Sequence, residues 1–166
     1  MLTQERLKRL LSYDPETGIF VRLVSLSNRT KVGSVAGTIH KYKGYQIVTV
    51  DGAKYFGHRL AWLYMTGEWP QEIDHINQVK HDNRFANLRL ATRSENSLYR
   101  PLRKDTTSGV KGVTWNARVG KWAAQITYKG KNRHLGYFDG KDDAKEFVEL
   151  ARDLLHGEFA CHVRAA

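Results

Sequence analysis

Leu7, Leu10 and Leu11 recur at helical spacing near the start of the chain, and the Asp14-Pro15 step stops the pattern, which predicts a short helix over Thr3 to Ser12. Stretches carrying β-branched and aromatic residues between Gly-containing turns follow at Gly18 to Leu23, Ser34 to Ile39, Tyr45 to Val50 and Lys54 to Gly57. With Asp51-Gly52 as a hairpin signal, they predict a small antiparallel sheet. Leu60, Leu63 and Tyr64 then return to helical spacing over Arg59 to Met65, with Gly67 placed to end that helix. Between Trp69-Pro70 and Arg100-Pro101 the order becomes short strand, long polar loop, short strand, helix. The polar, Gly-terminated stretch 101–108 suits a linker. Beyond it, Val110 to Thr114, Lys121 to Tyr128 and Asn132 to Phe138 read as strands with turns at Val119-Gly120 and Lys129-Gly130. A helix closes the chain from about Asp142 to His156-Gly157, with Ala144, Phe147, Val148, Ala151 and Leu155 on its apolar face.

Those elements define an α+β protein in two parts, a first region to about residue 100 and a second over 109–162. Charge adds a partner class. Lys and Arg number 27 against 17 Asp and Glu, a net charge of +10, and such a balance favours polyanions, nucleic acid first among them. The single cysteine, Cys161, excludes an internal disulfide and a Cys-based zinc ribbon and suits a reducing compartment, here the cytoplasm. The N-terminal segment lacks the apolar core of a signal peptide and no apolar run approaches a membrane span, so membrane partners are not expected.

The chemistry is concentrated in 72–96. Asp74-His75 ends a short apolar strand, Asn87 leads a second one, and Thr92 with Glu95 has the spacing of a capping box that fixes the following helix and puts Asn96 in its first turn. Two short strands with a helix across them would gather Asp74, His75, Asn87 and Asn96. A carboxylate and an amide oxygen suit a hard cation such as Mg²⁺, which keeps several of its waters, and a neutral imidazole accepts a proton from water near neutral pH. Adjacent strand residues point to opposite faces, so a bend is expected at the Asp74-His75 pair. Taken alone, an Asp-His pair is more often a turn or surface feature, and Asn-rich loops commonly satisfy their own backbone.

The full pattern resembles the HNH endonuclease family, in particular the phage and intron-associated homing enzymes whose last motif position is Asn. The matching residues are Asp74, His75, the Asp82-Asn83-Arg84 run, Asn87-Leu88-Arg89 and Asn96, preceded by His58-Arg59-Leu60-Ala61-Trp62 and Gly67-Glu68-Trp69-Pro70. The resemblance covers about residues 13 to 100. It implies a ββα-metal nuclease with its core at about 70–100, in which His75 is the general base, Asp74 and Asn96 hold one divalent metal (Mg²⁺, with Mn²⁺ substituting), Asn87 holds the loop and His75 in place, and Asn83 pins the loop. The substrate implied is duplex DNA, with no small-molecule cofactor. Several family members carry a second histidine on the helix, and many add a zinc ribbon. This chain has neither, so structural zinc is not expected; His58 is assigned a structural role, and His81 a solvent or DNA role.

The second region resembles the AP2 domain through Gly112-Val113, Lys121-Trp122-Ala123-Ala124-Gln125-Ile126, Leu135-Gly136-Tyr137-Phe138 and the Ala-spaced helix. That family lays a three-stranded sheet into the major groove and packs a helix on the other face. Carried over residue by residue, the resemblance implies that Lys111, Thr114, Asn116, Gln125, Thr127 and His134 face the groove. Arg118, Lys121, Lys129, Lys131 and Arg133 supply positive charge, while the closing helix is acidic, so the sheet is the side expected to meet phosphate. The expectation is a monomeric, site-specific, homing-type DNA endonuclease of phage character acting in the host cytoplasm. The alternative is a sequence-specific DNA-binding regulator with a silent nuclease centre.

Overall fold

The computed structural model describes residues 1–25, 30–98, 108–157 and 160, and the chain divides into two compact units, Met1–Thr92 and Arg93–Ala166. All but Ser108 of the linker expected at 101–108 lies outside the described residues, as does Cys161.

Helix α1 spans Gln4–Leu10 and starts where the Thr3 hydroxyl accepts the Arg6 amide at 3.2 Å, a cap worth about 1 kcal/mol. It is shorter than its periodicity predicts. Leu11 and Ser12 leave it to begin strand β1 (Leu11–Asp14), which pairs antiparallel with β2 (Ile19–Arg22). Leu11 is buried either way, so the ladder to β2 decides its conformation. Strands β3 (Thr38–Ile39), β4 (Gln46–Val50) and β5 (Ala53–Phe56) form a three-stranded antiparallel sheet in the order β3-β4-β5. Most of the strand expected over Ser34 to Ile39 is irregular, with Val35 making a single bridge to Val21. Helix α2 (Gly57–Thr66) follows β5 directly and ends at Gly67. Leu7, Phe20, Leu60 and Ala61 are fully buried together with Val48, forming one core beneath the sheet and both helices.

Arg59 donates to the Pro70 and Gln71 carbonyls at 2.7 and 3.0 Å, and the Trp69 indole donates to the Leu2 carbonyl at 3.0 Å. These bonds fix the chain where it enters strand β6 (Ile73–His75). Strand β7 (Leu88–Leu90) pairs antiparallel with β6, and helix α3 spans Arg93–Leu98.

In the second unit, β8 (Val113–Asn116), β9 (Lys121–Tyr128) and β10 (Lys131–Phe138) form an antiparallel sheet with β9 central, and α4 (Lys141–His156) packs on it. Its core is small: Val113, Ala124, Ala144 and Val148, with Trp122, Leu135 and Phe138 partly buried around them. The buried stripe of α4 is narrower than its pattern suggests. Ala144, Val148 and Arg152 are buried, while Phe147 and Leu155 remain 45% and 38% exposed. The three-stranded sheet covers little more than one i, i+4 row of the helix, Ala144, Val148 and Arg152, and Arg152 ends that row by donating to the Lys111 carbonyl at 2.8 Å. A cavity lined by Lys111, Gln125, Arg152 and His156 also belongs to this unit, not to the one holding Asp74 and His75.

Candidate active site

Strand β6 delivers Asp74 and His75, and its ladder to β7 runs uninterrupted through Ile73↔Leu90, Asp74↔Arg89 and His75↔Leu88. The expected bend is absent. The two neighbours stay on opposite faces of the strand, His75 inward at 5% exposure and Asp74 with its side chain largely buried on the other.

Between the strands, 76–84 has no regular ladder, so its polar groups find other partners. Asn87 supplies several of them: its Oδ1 accepts the Asn77 amide at 3.0 Å, and its Nδ2 donates to Asn77 Oδ1 at 3.0 Å and to the Asp82 carbonyl at 2.8 Å. The Asn87 carbonyl also accepts the Ile76 amide at 2.9 Å. Asp82 in turn accepts from Asn77 at 2.6 Å and from both ends of the Arg84 fork at 2.9 and 2.6 Å, and the Arg84 bonds hold its carboxyl well below the usual carboxylate range. Asn87 therefore anchors the loop.

The residue on His75 itself is Asn83, whose Oδ1 lies 3.3 Å from His75 Nε2. Asn83 is 1% exposed. Its Nδ2 donates to Gln46 Oε1 at 2.8 Å, and its carbonyl accepts the Tyr13 hydroxyl at 2.6 Å, so β1 and β4 both hold it. The rings of His58 and Tyr45 complete the surroundings, with centroids 5.0 and 6.0 Å from that of His75. Burial pushes the His75 imidazole below its ordinary value, while the Asn83 bond and the charges of Asp74 and Asp82 pull it back up. His58 is pushed down to about 3 by burial and by the neighbouring His75 and Arg59. Burial and the charge of Asp74 raise the Tyr45 phenol. Two neutral imidazoles thus stand side by side at neutral pH.

On the other face, Arg89 Nε and one terminal nitrogen donate to Asp74 Oδ2 at 3.0 and 2.7 Å, and both side chains are largely buried. Asp74 Oδ1 has no hydrogen-bond partner among the described residues, in which no three His, Cys, Asp or Glu side chains form a metal cage. Asn96 sits on α3, beyond the division at Thr92, in the second unit. Gln46, Tyr45 and Tyr13 were not among the residues singled out from sequence: Tyr45 and Gln46 fall in a stretch that reads as ordinary strand, and Tyr13 follows the predicted first helix, where nothing marks the strand it joins.

The second unit presents a polar sheet face. Cross-strand partners in an antiparallel sheet share a side, so Gln125 and His134, Thr127 and Asn132, Thr114 and Ala123, and Asn116 and Lys121 lie together, opposite the face on which Ala124 and Ile126 are buried. Asn132 donates to Gln125 at 3.1 Å, and Tyr137 joins the same face beside His134, with ring centroids 4.5 Å apart. Arg118 and Lys129 are exposed in the turns, whereas Lys131 and Arg133 are register partners of Tyr128 and Ile126 and so belong to the α4 side. Lys111 precedes β8, and Lys121 pairs with Asp139 at 3.1 Å.

Comparison with known proteins bears on this geometry. The family described as HNH endonuclease matches residues 55–98, from β5 through α3. Protein 3.8 of Escherichia phage T7 is 33% identical over 107 residues, covering 62% of this chain and 86% of that protein. A protein of Acanthamoeba polyphaga mimivirus named as an HNH endonuclease is 32% identical over 130 residues, covering 74% of this chain and 67% of its own length. No solved structure gives a significant match.

Proposed function

The chain belongs to the HNH endonuclease family, and from that footing we propose that it is a homing-type endonuclease that hydrolyses phosphodiester bonds of duplex DNA with His75 as general base. The observation that carries this reading is the buried, neutral imidazole of His75, held by Asn83 next to Asp74 on one strand. His75 takes a proton from water, the water oxygen bonds to phosphorus, and the bond to the 3′ oxygen breaks, leaving 5′-phosphate and 3′-hydroxyl ends once that oxygen is protonated. Asp74 and Asn96 are the residues assigned to a single Mg²⁺, for which Mn²⁺ substitutes. Their donors fit the ion: Asp74 keeps Oδ1 clear of hydrogen bonds among the described residues, and carboxylate and amide oxygens are the hard ligands Mg²⁺ takes. When bound, such an ion stabilises charge on the phosphate and the leaving oxygen. Asn87 and Asn83 keep the loop and imidazole in place.

In this proposal the second unit is AP2-like and docks its sheet against DNA. Lys111, Thr114, Asn116, Gln125, Thr127 and His134 read the groove, while Arg118, Lys121 and Lys129 contact phosphate. Lys131 and Arg133, on the α4 side, touch DNA only at a flank of that footprint. One active centre per monomer makes nicking the default, and the working compartment is the host cytoplasm. The test is nicking of supercoiled plasmid with Mg²⁺ against an EDTA control, in wild type and His75→Ala. Cleavage that requires Mg²⁺ and His75 is expected; DNA binding without any cleavage favours a regulator with a silent nuclease centre.

A further inference from the structure

The hydrogen bonds around His75 continue past Asn83 to a fixed point on the backbone. The Ala36 carbonyl can only accept, so the Gln46 amide turned toward it at 3.2 Å must present its NH₂ there and leave its Oε1 for Asn83. That oxygen can only accept, so Asn83 must turn its own NH₂ toward Gln46, at 2.8 Å, and its Oδ1 toward His75. Facing an acceptor at 3.3 Å, His75 Nε2 must carry the proton, which leaves the lone pair on Nδ1. Each orientation follows from the one before it, back to a group that cannot flip.

The sequence makes room for this relay at Gly57, the first residue of α2. A Cβ there would lie 2.4 Å from Gln46 Oε1 and 2.6 Å from Asn83 Nδ2, inside any tolerable contact, and both neighbours are the bonded atoms of the relay. Gln46 belongs to β4 and Asn83 to the loop before β7, so the link joins the N-terminal sheet to the β6-β7 pair.

We infer that Gln46 is a positioning residue that, through Asn83, locks His75 as the Nε2–H tautomer with Nδ1 as its proton-accepting atom, and that Gly57 exists to admit that link. The inference rests on the proposed role of His75 for its effect on rate, though the tautomer stands apart from it. Without Gln46, the Asn83 amide is free to turn over and offer NH₂ to Nε2, moving the proton to Nδ1. In the Ser-His-Asp enzymes a wrong tautomer costs about 10⁴ in rate, which is a ceiling here because both amide orientations stay accessible.

The experiment uses the full chain labelled with ¹⁵N-histidine at about pH 8, with long-range ¹H–¹⁵N correlation reporting which ring nitrogen of His75 is protonated and His75→Gln identifying its signals among the seven histidines. Wild type should show Nε2–H. Gln46→Met, which keeps the side chain's length without its polar atoms, should shift population to Nδ1–H and slow cleavage by about ten- to hundredfold while DNA binding holds. Gln46→Glu, still an acceptor for Asn83, should keep the tautomer and most of the rate. Gly57→Ala should act like Gln46→Met, and the double variant should be no worse than either, because both cut one link. Nδ1–H in wild type, or an unchanged tautomer and rate in Gln46→Met with a normal unfolding midpoint, overturns the relay. A shifted tautomer with an undiminished rate upholds the relay and overturns the general-base role of His75 instead.

Discussion

His58 offers the sharpest test of how this core is built, because its cost to stability is written in pH. It lies in the first turn of α2 at 8% exposure, its ring stacked on Phe56 at 5.5 Å with an interplanar angle of 9° and packed against Tyr45 at 5.3 Å. Its Nδ1 is the one buried side-chain nitrogen or oxygen without a hydrogen-bond partner among the described residues. In the unfolded chain the imidazole takes up a proton near 6.5, whereas in the fold burial holds it neutral down to about 3. Between those values the unfolded state binds more protons, so stability is fully present above about 6.5 and drains away on acidification toward 3. The whole shift corresponds to roughly 5 kcal/mol as an upper figure, and the portion lost between about pH 7 and pH 5 is about 2 kcal/mol. His58→Phe keeps a flat ring among these aromatic neighbours and removes the titration. Urea unfolding of both proteins in EDTA, at about pH 7 and pH 5, should show wild type losing about 2 kcal/mol more than the variant on acidification. All other ionisable groups are common to both proteins, so their contributions largely cancel in the comparison. Equal losses would refute the claim that His58 is held neutral by burial.

Four further outcomes test separate parts of this picture. His75→Ala should lower cleavage by about 10² to 10⁴ while gel-shift affinity for DNA is unchanged, and a near wild-type rate at neutral pH would remove its catalytic role. Because burial lowers the His75 imidazole, wild-type cleavage should hold its rate as pH falls through about 6.5 and decline only in more acid solution. Arg89→Ala strips a largely buried Asp74 carboxylate of its guanidinium and should cost about 3–5 kcal/mol in urea unfolding, with much of that recovered when Asp74→Ala is added. Removing the chain after about Arg103 should weaken DNA binding, and if four phosphate contacts are lost the slope of log affinity against log salt shrinks by roughly 0.9 for each.

Much of the molecule was legible from local pattern. The β9 alternation, the Asp51-Gly52 hairpin and the Gly67 stop depend on neighbouring residues alone, and each element appears where its pattern puts it. Elements settled by distant partners were less legible. Leu11 and Ser12 continue a helical period but join β1, since pairing with β2 is invisible to a window centred on α1. On α4, Phe147 and Leu155 fit the apolar period yet stay partly exposed, because the width of a buried stripe depends on how much sheet lies beneath it. The motif residues from Asp74 to Asn87 could be named from the family resemblance, but which asparagine touches His75 could not. Asn83 and Asn87 look alike in a polar loop, and only the positions of β1 and β4 separate them.

That separation explains why the nuclease motif needs the sheet that precedes it. Strands β6 and β7 are three residues each, too short a ladder to hold a long loop and the His75 imidazole by themselves. Asn87 satisfies the loop from within, whereas Asn83 is tied outward, to Tyr13 on β1 and Gln46 on β4. Removing a partner from a buried amide costs about 1–3 kcal/mol, so replacing Tyr13 or Gln46 should loosen Asn83 by a comparable amount even though neither belongs to the motif. The orientation of His75 is thus a property of the whole first unit, and the segment from β6 to β7 alone, though it holds Asp74, His75, Asn83 and Asn87, lacks the groups that aim them.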